Sequence, residues 1–179
     1  MRLLPKQVES ICQDVNAPPR LIAHLTLVHD VAVSLTQEIK QVFPNISIDE
    51  ESIFFGAATH DIGKSLYRIE LIEAGNKHES AGEQLLLKFG VEKRLARFAR
   101  THADWKDDTT LSLEDLLVSL ADNCWKGKRA SELETLIAER IASETKQEIW
   151  NVFISLDDIL QKLAESADER LSWQAQFPA

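Results

Sequence analysis

The sequence contains few of the residues that form tight turns or stabilise small secreted folds. Its 179 residues include only 6 glycines, 5 prolines and 2 cysteines. Turn-dense β-sheet proteins need glycine and proline at many turns, so their scarcity favours long helices. Cys12 and Cys124 are too few and too far apart for a disulfide framework or a cysteine-rich zinc module. We expect each to be a small buried apolar residue.

Long apolar runs and an excess of positive charge are also missing. No stretch approaches the ~20 apolar residues of a membrane span, and the first ten residues, MRLLPKQVES, lack the apolar segment of a secretory signal. We therefore expect a cytoplasmic protein with no membrane partner. The formal net charge of −9 argues against a nucleic-acid partner, because its field repels polyanions. A small phosphorylated substrate beside a bound metal is still compatible with this charge.

What the chain does have is strong helical periodicity. Apolar residues recur at steps of three and four between Pro19 and Pro44, which predicts one long amphipathic helix. Capping boxes predict three more helix starts, at Ser47 with Glu50, Ser112 with Asp115 and Ser155 with Asp158. The helix that Ser155 opens covers about 156–173. The other predicted helices cover about 77–89, ended by Gly90, then 92–102 and 131–153. The prediction is an all-α, single-domain helical bundle over residues 1–179.

Four of the five histidines fall in phase with the apolar faces of four different predicted helices. These are His24, His60, His78 and His102, and Asp61 directly follows His60. A single inward histidine is usually a core residue with a satisfied hydrogen bond. When several inward histidines lie on converging helices beside a buried carboxylate, each of these groups needs a partner. One divalent cation can satisfy all of them at once. The pattern favours a metal site in the bundle.

The predicted helix that starts at Ser112 carries a narrow polar stripe. Its residues are Asp115, Ser119, Asp122, Lys126 and Arg129. The stripe is either an ordinary solvent face or the lining of a polar pocket, and periodicity alone does not separate the two. In the second interpretation Asp122 binds metal, while Lys126 and Arg129 contact phosphate.

Five segments, in this order, resemble the HD superfamily of metal-dependent phosphohydrolases. They are PRLIAHLTLVHDVA, FFGAATHDIGKSL, GNKHESAGEQLL, ARTHADW and LLVSLADNCWKGKR. The resemblance covers about 20–129, the expected metal-site core, with helices of about 131–173 packed on it. It implies an HD-type fold and two metal ions bridged by Asp61. The other ligands it implies are His24, His60 and Asp122 for one ion, and His78 and His102 for the second.

The resemblance also implies a chemistry. A metal-activated water would hydrolyse a phosphate ester or anhydride, with Asp61 and Lys64 as catalytic residues. Lys64, Arg20, Lys126 and Arg129 are the predicted phosphate-binding residues, although the last three are equally consistent with solvent-exposed side chains. The mixed histidine and carboxylate set favours iron or manganese, with zinc as an alternative. The expected partner is a small nucleotide or dinucleotide. The spacing of His78 and His102 is loosely similar to the branch that cleaves diadenosine tetraphosphate symmetrically.

Other interpretations remain open at this point. The same ligands fit a non-catalytic metal- or nucleotide-binding module, and a plain helical interaction protein would carry the histidines incidentally. His29, at the edge of its apolar stripe, is expected to be a surface or boundary residue. Trp105 fits either core packing or stacking on a nucleobase, and Glu79 either supports a ligand or lies at the surface. The C-terminal helices are expected to cap the core or to form a homodimer face.

Overall fold

The structure is a computed structural model that describes residues 1–106, 108 and 110–178. Within this part of the chain it is helical, without strands, which confirms the all-α prediction. The α-helices are α1 (Lys6–Asp14), α2 (Pro19–Val42), α3 (Glu50–Thr59), α4 (Lys77–Lys88), α5 (Lys93–Ala96), α6 (Phe98–Thr101), α7 (Leu113–Cys124), α8 (Ser131–Thr145), α9 (Ile149–Ala164) and α10 (Ala167–Gln174). Short 3-10 turns cover Ile62–Ser65, Arg68–Leu71 and Asp104–Lys106. Among the described residues, no helix combines the length and apolarity needed to cross a bilayer.

The helices with the clearest sequence signals form where they were predicted. Pro19 occupies the first position of α2, where its missing N–H costs no hydrogen bond. Helix α4 ends just before Gly90, whose φ of 76° is readily adopted only by glycine. Ser112 and Asp115 form the predicted reciprocal capping box of α7.

Three helix boundaries differ from the prediction for local reasons. Helix α3 starts after Asp49 rather than Ser47, because the Asp49 carboxylate accepts the backbone N–H of Ser52 at 3.2 Å. Lys146 adopts a φ of 57° and ends α8, so the predicted helix of 131–153 is divided in two. Ser155 consequently lies inside α9 instead of capping a helix. Helix α1 was not predicted. The predicted helix of 92–102 is divided into α5 and α6, and the predicted helix of 156–173 is divided between α9 and α10.

The core consists of two neighbouring apolar clusters that share helix α2. Leu21 and Leu25 of α2 belong to the cluster formed with α1, α4 and α5, whereas Val28 belongs to the larger cluster with α7, α8 and α9. Helix α3 also contributes to both. Burying each such leucine or valine contributes about 1.5–3 kcal/mol. The two clusters meet beside His24 of α2, and the candidate site lies there.

The C-terminal helix α10 is attached to the end of α7 by one arginine. The Arg170 guanidinium donates to the carbonyl oxygen of Trp125 at 2.5 Å and to that of Leu163 at 2.6 Å. A longer contact of 3.4 Å reaches the carbonyl of Cys124. The last carbonyls of a helix lack partners within the helix, so Arg170 satisfies the Trp125 carbonyl at the end of α7, whereas the Cys124 carbonyl also accepts the Gly127 N–H at 3.0 Å.

Candidate metal centre

Six side chains from five helical segments converge at the junction of the two core clusters. His24 comes from the first half of α2, and Asp122 from the last turn of α7. His60 and Asp61 directly follow α3, His78 lies in the first turn of α4, and His102 directly follows α6. The structure therefore brings together all six residues predicted as metal ligands.

Three of these side chains form a first group, made of His24, His60 and Asp122. The Nε2 atoms of the two histidines are 3.1 Å apart, and Asp122 Oδ1 lies 3.4 Å from His24 Nε2 and 3.5 Å from His60 Nε2. Metal–ligand bonds of about 2.0–2.2 Å, at the angles of tetrahedral or octahedral coordination, place neighbouring ligand atoms about 3.0–3.5 Å apart. The first group therefore has the spacing of one cation's ligands.

The second group consists of Asp61, His78 and His102. Asp61 Oδ1 lies 3.0 Å from His78 Nε2 and 3.5 Å from His102 Nε2. The other oxygen, Oδ2, lies 3.1 Å from Nε2 of His24 and 3.6 Å from Nε2 of His60, both in the first group. One carboxylate thus faces both groups, one oxygen to each.

Hydrogen bonds at Nδ1, on the side of the ring away from the site, fix the orientation of three histidines. The Nδ1–H of His60 donates to the carbonyl of Ala57 at 2.9 Å, and that of His102 donates to the carbonyl of Ala99 at 3.1 Å. His78 Nδ1–H donates to Glu70 Oε2 at 2.6 Å. Because these oxygens can only accept, the proton lies on Nδ1 and each Nε2 lone pair points into the site, as metal coordination requires.

Glu70 is a functional candidate that the sequence analysis missed. It is buried, and besides the His78 ring its carboxylate accepts the backbone N–H groups of Lys77 at 3.2 Å and His78 at 3.1 Å. Burial alone would raise the pKa of Glu70, but these hydrogen bonds hold it below its ordinary value. Glu70, and not Glu79, therefore accepts the hydrogen bond that orients the His78 ring. Glu79 lines the cavity beside the site.

Two polar atoms in the site have no hydrogen-bond partner. Asp61 Oδ1 and His78 Nε2 are buried and lie 3.0 Å apart, yet neither forms a hydrogen bond. A buried polar atom left in this state costs about 1–3 kcal/mol. Both atoms belong to the second group, so a cation bound there would satisfy them together. The donor set and its spacing therefore fit divalent metal.

The electrostatics of the site depend on the balance between burial and the two carboxylates. Burial lowers the pKa of His24, but the adjacent Asp122 and Asp61 raise it to about 9. Burial, reinforced by His60, lowers the pKa of His102 to about 4. Burial opposes ionisation of Asp61 and Asp122, yet the surrounding histidines hold both carboxyl pKa values well below the usual range. Without metal, His24 therefore carries the proton that neutralises part of this charge at pH 7.

A cavity of about 300 Å³ opens over five of the six side chains, all except the fully buried His60. Of the predicted phosphate-binding residues, Lys64 and Lys126 line it, and Lys64 Nζ donates to Asp61 Oδ2 at 2.6 Å. Arg129 is not brought there, because its guanidinium binds the carboxylates of Glu134 at 2.7 Å and Asp157 at 2.6 Å. We assign Arg129 a structural role only.

Arg20 lies one turn before His24 on α2. Among the described residues its side chain forms no hydrogen bond or ion pair with the site, and its backbone N–H donates to the carbonyl of Pro178 at 3.1 Å. The structure therefore supplies no contact that supports its predicted phosphate binding.

His29 was expected at the surface or its boundary, and this was wrong. It is buried, with 7% of its surface exposed, and its ring packs edge-on against Phe54 with 6.3 Å between the ring centroids. It is the histidine that lies outside the cluster. His29 and Asp30 therefore form a second His-Asp dipeptide outside the site, and it can serve as a control for His60 and Asp61.

Gly63, just after that doublet, lets the chain pack closely on α4. A Cβ at this position would lie 2.0 Å from the carbonyl oxygen of His78 and 2.7 Å from the backbone nitrogen of Gly82. No side chain fits there. The close contact holds Asp61 and His78 beside each other.

Comparison with known proteins agrees with this geometry. The family model described as the HD domain matches residues 21–125, which is more than half of the chain. The chain belongs to the HD-domain family. Members of this family are in general divalent-metal-dependent phosphohydrolases, and this defines the class of the protein. No solved structure matches the chain.

Proposed function

We propose that the protein is a binuclear metal-dependent phosphohydrolase that cleaves a phosphate ester or anhydride in a small, nucleotide-like substrate. The observation that carries the proposal is the position of Asp61, whose two oxygens face the two ligand groups separately. A carboxylate so placed is suited to bridging a cation pair. The nitrogen-rich donor set favours manganese or iron, with zinc as an alternative, over magnesium or calcium.

In this proposal His24, His60 and Asp122 hold one cation, His78 and His102 hold the second, and Asp61 contacts both. Cations held there would supply a water of lowered pKa and positive charge next to the phosphoryl oxygens. The protein contributes the fixed imidazole orientations and the cationic groups near the substrate.

Two lysines complete the proposed substrate site. Lys64 lies three residues after Asp61 and touches it, so its ammonium group is held at the edge of the ligand cluster. Lys126 lies one turn beyond Asp122 at the exposed side of the cavity. Together they provide positive charge for a phosphate, in a chain whose overall charge is −9.

The test is Asp61→Asn, which preserves shape but removes the bridging charge. We expect it to lose metal from both groups and to lower phosphatase activity at least about 100-fold, since both depend on the carboxylate. Metal is measured by elemental analysis after purification with Mn²⁺, and activity with a panel of phosphomonoesters, phosphodiesters and dinucleotides. Asp30→Asn, in the other His-Asp dipeptide, is the matched control and is expected to retain both.

Each contrary result has a definite meaning. An Asp61→Asn variant with unchanged metal content and activity would refute the proposed site. Metal bound by the wild-type protein without turnover of any phosphoester would indicate the non-catalytic binding module. Wild-type protein that takes up no metal would indicate a helical protein with incidental histidines.

A further inference from the structure

A second groove adjoins the metal cavity, and Trp105 lies between them. The groove has a volume of about 390 Å³ and runs between the 3-10 turn Asp104–Lys106 and helix α8. Its lining residues are Trp105, Lys106, Glu132, Thr135, Leu136 and Glu139. Because Trp105 also lines the metal cavity, a substrate that fills both spaces must pass over this side chain.

The two spaces would differ in charge once cations are bound as proposed. The lining of the metal cavity has the ammonium groups of Lys64 and Lys126 and three carboxylates, and divalent cations held there would make it positive overall. In the groove, the charged lining residues are two carboxylates and one ammonium group, and that ammonium group, Lys106 Nζ, lies 3.1 Å from Glu132 Oε2. The carboxylate of Glu139 is the remaining negative charge of the lining. The cleft is thus suited to a molecule with a phosphate at one end and a neutral or N–H-rich group at the other.

Trp105 offers an aromatic surface at the junction. Its ring is half-buried and packs against the larger core cluster, which holds it in place. Lys106 Nζ lies over the ring, 5.0 Å from its centroid, and this exposed side chain would move aside when a planar group stacks on that face. Leu136, also half-buried, provides apolar surface on the side of α8. A rigid indole beside an aliphatic side chain is a suitable binding surface for a planar aromatic group.

We infer that this groove is the leaving-group subsite. It accepts a planar aromatic group that carries N–H donors and no additional phosphate, with Trp105 stacking on the ring and Glu139 accepting an N–H. A second phosphate placed in the groove would be repelled by its carboxylates. The inference rests on the proposed function, since it assumes that a phosphate occupies the metal cavity.

The test compares kcat/KM for three probes with the Mn²⁺-loaded protein: adenosine 5′-monophosphate, ribose 5-phosphate and adenosine 5′-diphosphate. The monophosphate should be the best of the three. Trp105→Ala should lower its kcat/KM by about 5- to 150-fold, the range for loss of one base–aromatic stack, mostly through KM. The loss with ribose 5-phosphate, which lacks the base, should be at least fivefold smaller, by the same reasoning. Trp150→Ala removes an exposed tryptophan of α9 and is the matched control.

A second variant addresses the charge. Glu139→Lys should lower the preference for the monophosphate over the diphosphate by about 3- to 10-fold, while Glu139→Gln should have a smaller effect, because only the first variant adds positive charge. A Trp105→Ala variant that loses activity equally with and without the base would overturn the inference. So would a wild-type preference for the diphosphate.

Failure of the proposed function is distinguishable from failure of this inference. If the metal-loaded protein hydrolyses none of the probes, the proposed function is wrong. Calorimetric titration with the same three compounds then decides the inference. Tighter binding of the monophosphate than of ribose 5-phosphate, lost in Trp105→Ala, would support the subsite. Equal affinities would overturn it.

Discussion

The Glu70→Gln variant tests whether the Glu70 carboxylate supports metal binding by His78 without affecting the group formed by His24, His60 and Asp122. The carboxylate accepts three N–H groups, one from the His78 ring and two from the start of α4. The amide retains one acceptor oxygen but directs an NH₂ at groups that can only donate, so at least one contact becomes repulsive. Hydrogen bonds to a charged group are worth about 1.5–3 kcal/mol each. Partners behind a metal-binding histidine typically change metal affinity by about 10- to 100-fold.

We therefore expect Glu70→Gln to weaken one of two Mn²⁺ binding events by about 10- to 100-fold, corresponding to about 1.4–2.7 kcal/mol. The event assigned to His24, His60 and Asp122 should change little, because Glu70 contacts none of them. Calorimetric titration of the metal-free protein separates the two events. Glu73→Gln, an exposed glutamate of the same loop, is the control. Equal weakening of both events, or no change in either, would refute this assignment of Glu70.

Two further predictions concern the proton released when metal binds and the close packing of Gly63. At pH 7.5, Mn²⁺ binding should release about one proton from His24, whose pKa is raised to about 9, because only neutral imidazole binds metal. His102, with a pKa of about 4, is already neutral, so metal affinity should rise with pH up to about 9 and then level off. Calorimetry in buffers of different ionisation enthalpy measures the release, and a pH-independent affinity would contradict it. Gly63→Ala should destabilise the fold by about 1–3 kcal/mol in urea unfolding, because its Cβ would lie 2.0 Å from the His78 carbonyl. Gly82→Ala, whose nearest contact is 3.0 Å, should cost less, and equal costs would contradict the packing argument.

The parts of the fold that could be predicted from sequence are those encoded locally. Helices α2, α4 and α7 combine a clear apolar period with a proline, glycine or capping box at their ends. The inward direction of the four site histidines could be predicted because each keeps the apolar phase of the helix that contains it or that ends just before it, whereas periodicity left Asp122 undecided. The resemblance supplied the grouping around Asp61, which no single helix encodes.

The remaining features depend on tertiary contacts or on competition between similar local signals. Ser47 and Asp49 are both good capping residues, and only the folded chain selects Asp49. Lys146 gives no indication that it will take a positive φ. Glu70 belongs to an irregular loop without periodicity, so its approach to His78 could not be read from spacing. Arg129 binds Glu134, five residues further along, and Asp157, which only the packing of α9 brings close.

The attachment of α10 to α7 has a consequence for where this protein can be shortened. Residues 21–125 match the family, yet the Trp125 carbonyl at the end of this range accepts from a guanidinium 45 positions further along. A fragment cut at the family boundary would lose this hydrogen bond and the one that the Gly127 N–H donates to the Cys124 carbonyl, a single turn from Asp122. We therefore expect a fragment that ends at residue 125 to hold the ligand Asp122 less firmly than the 179-residue chain does.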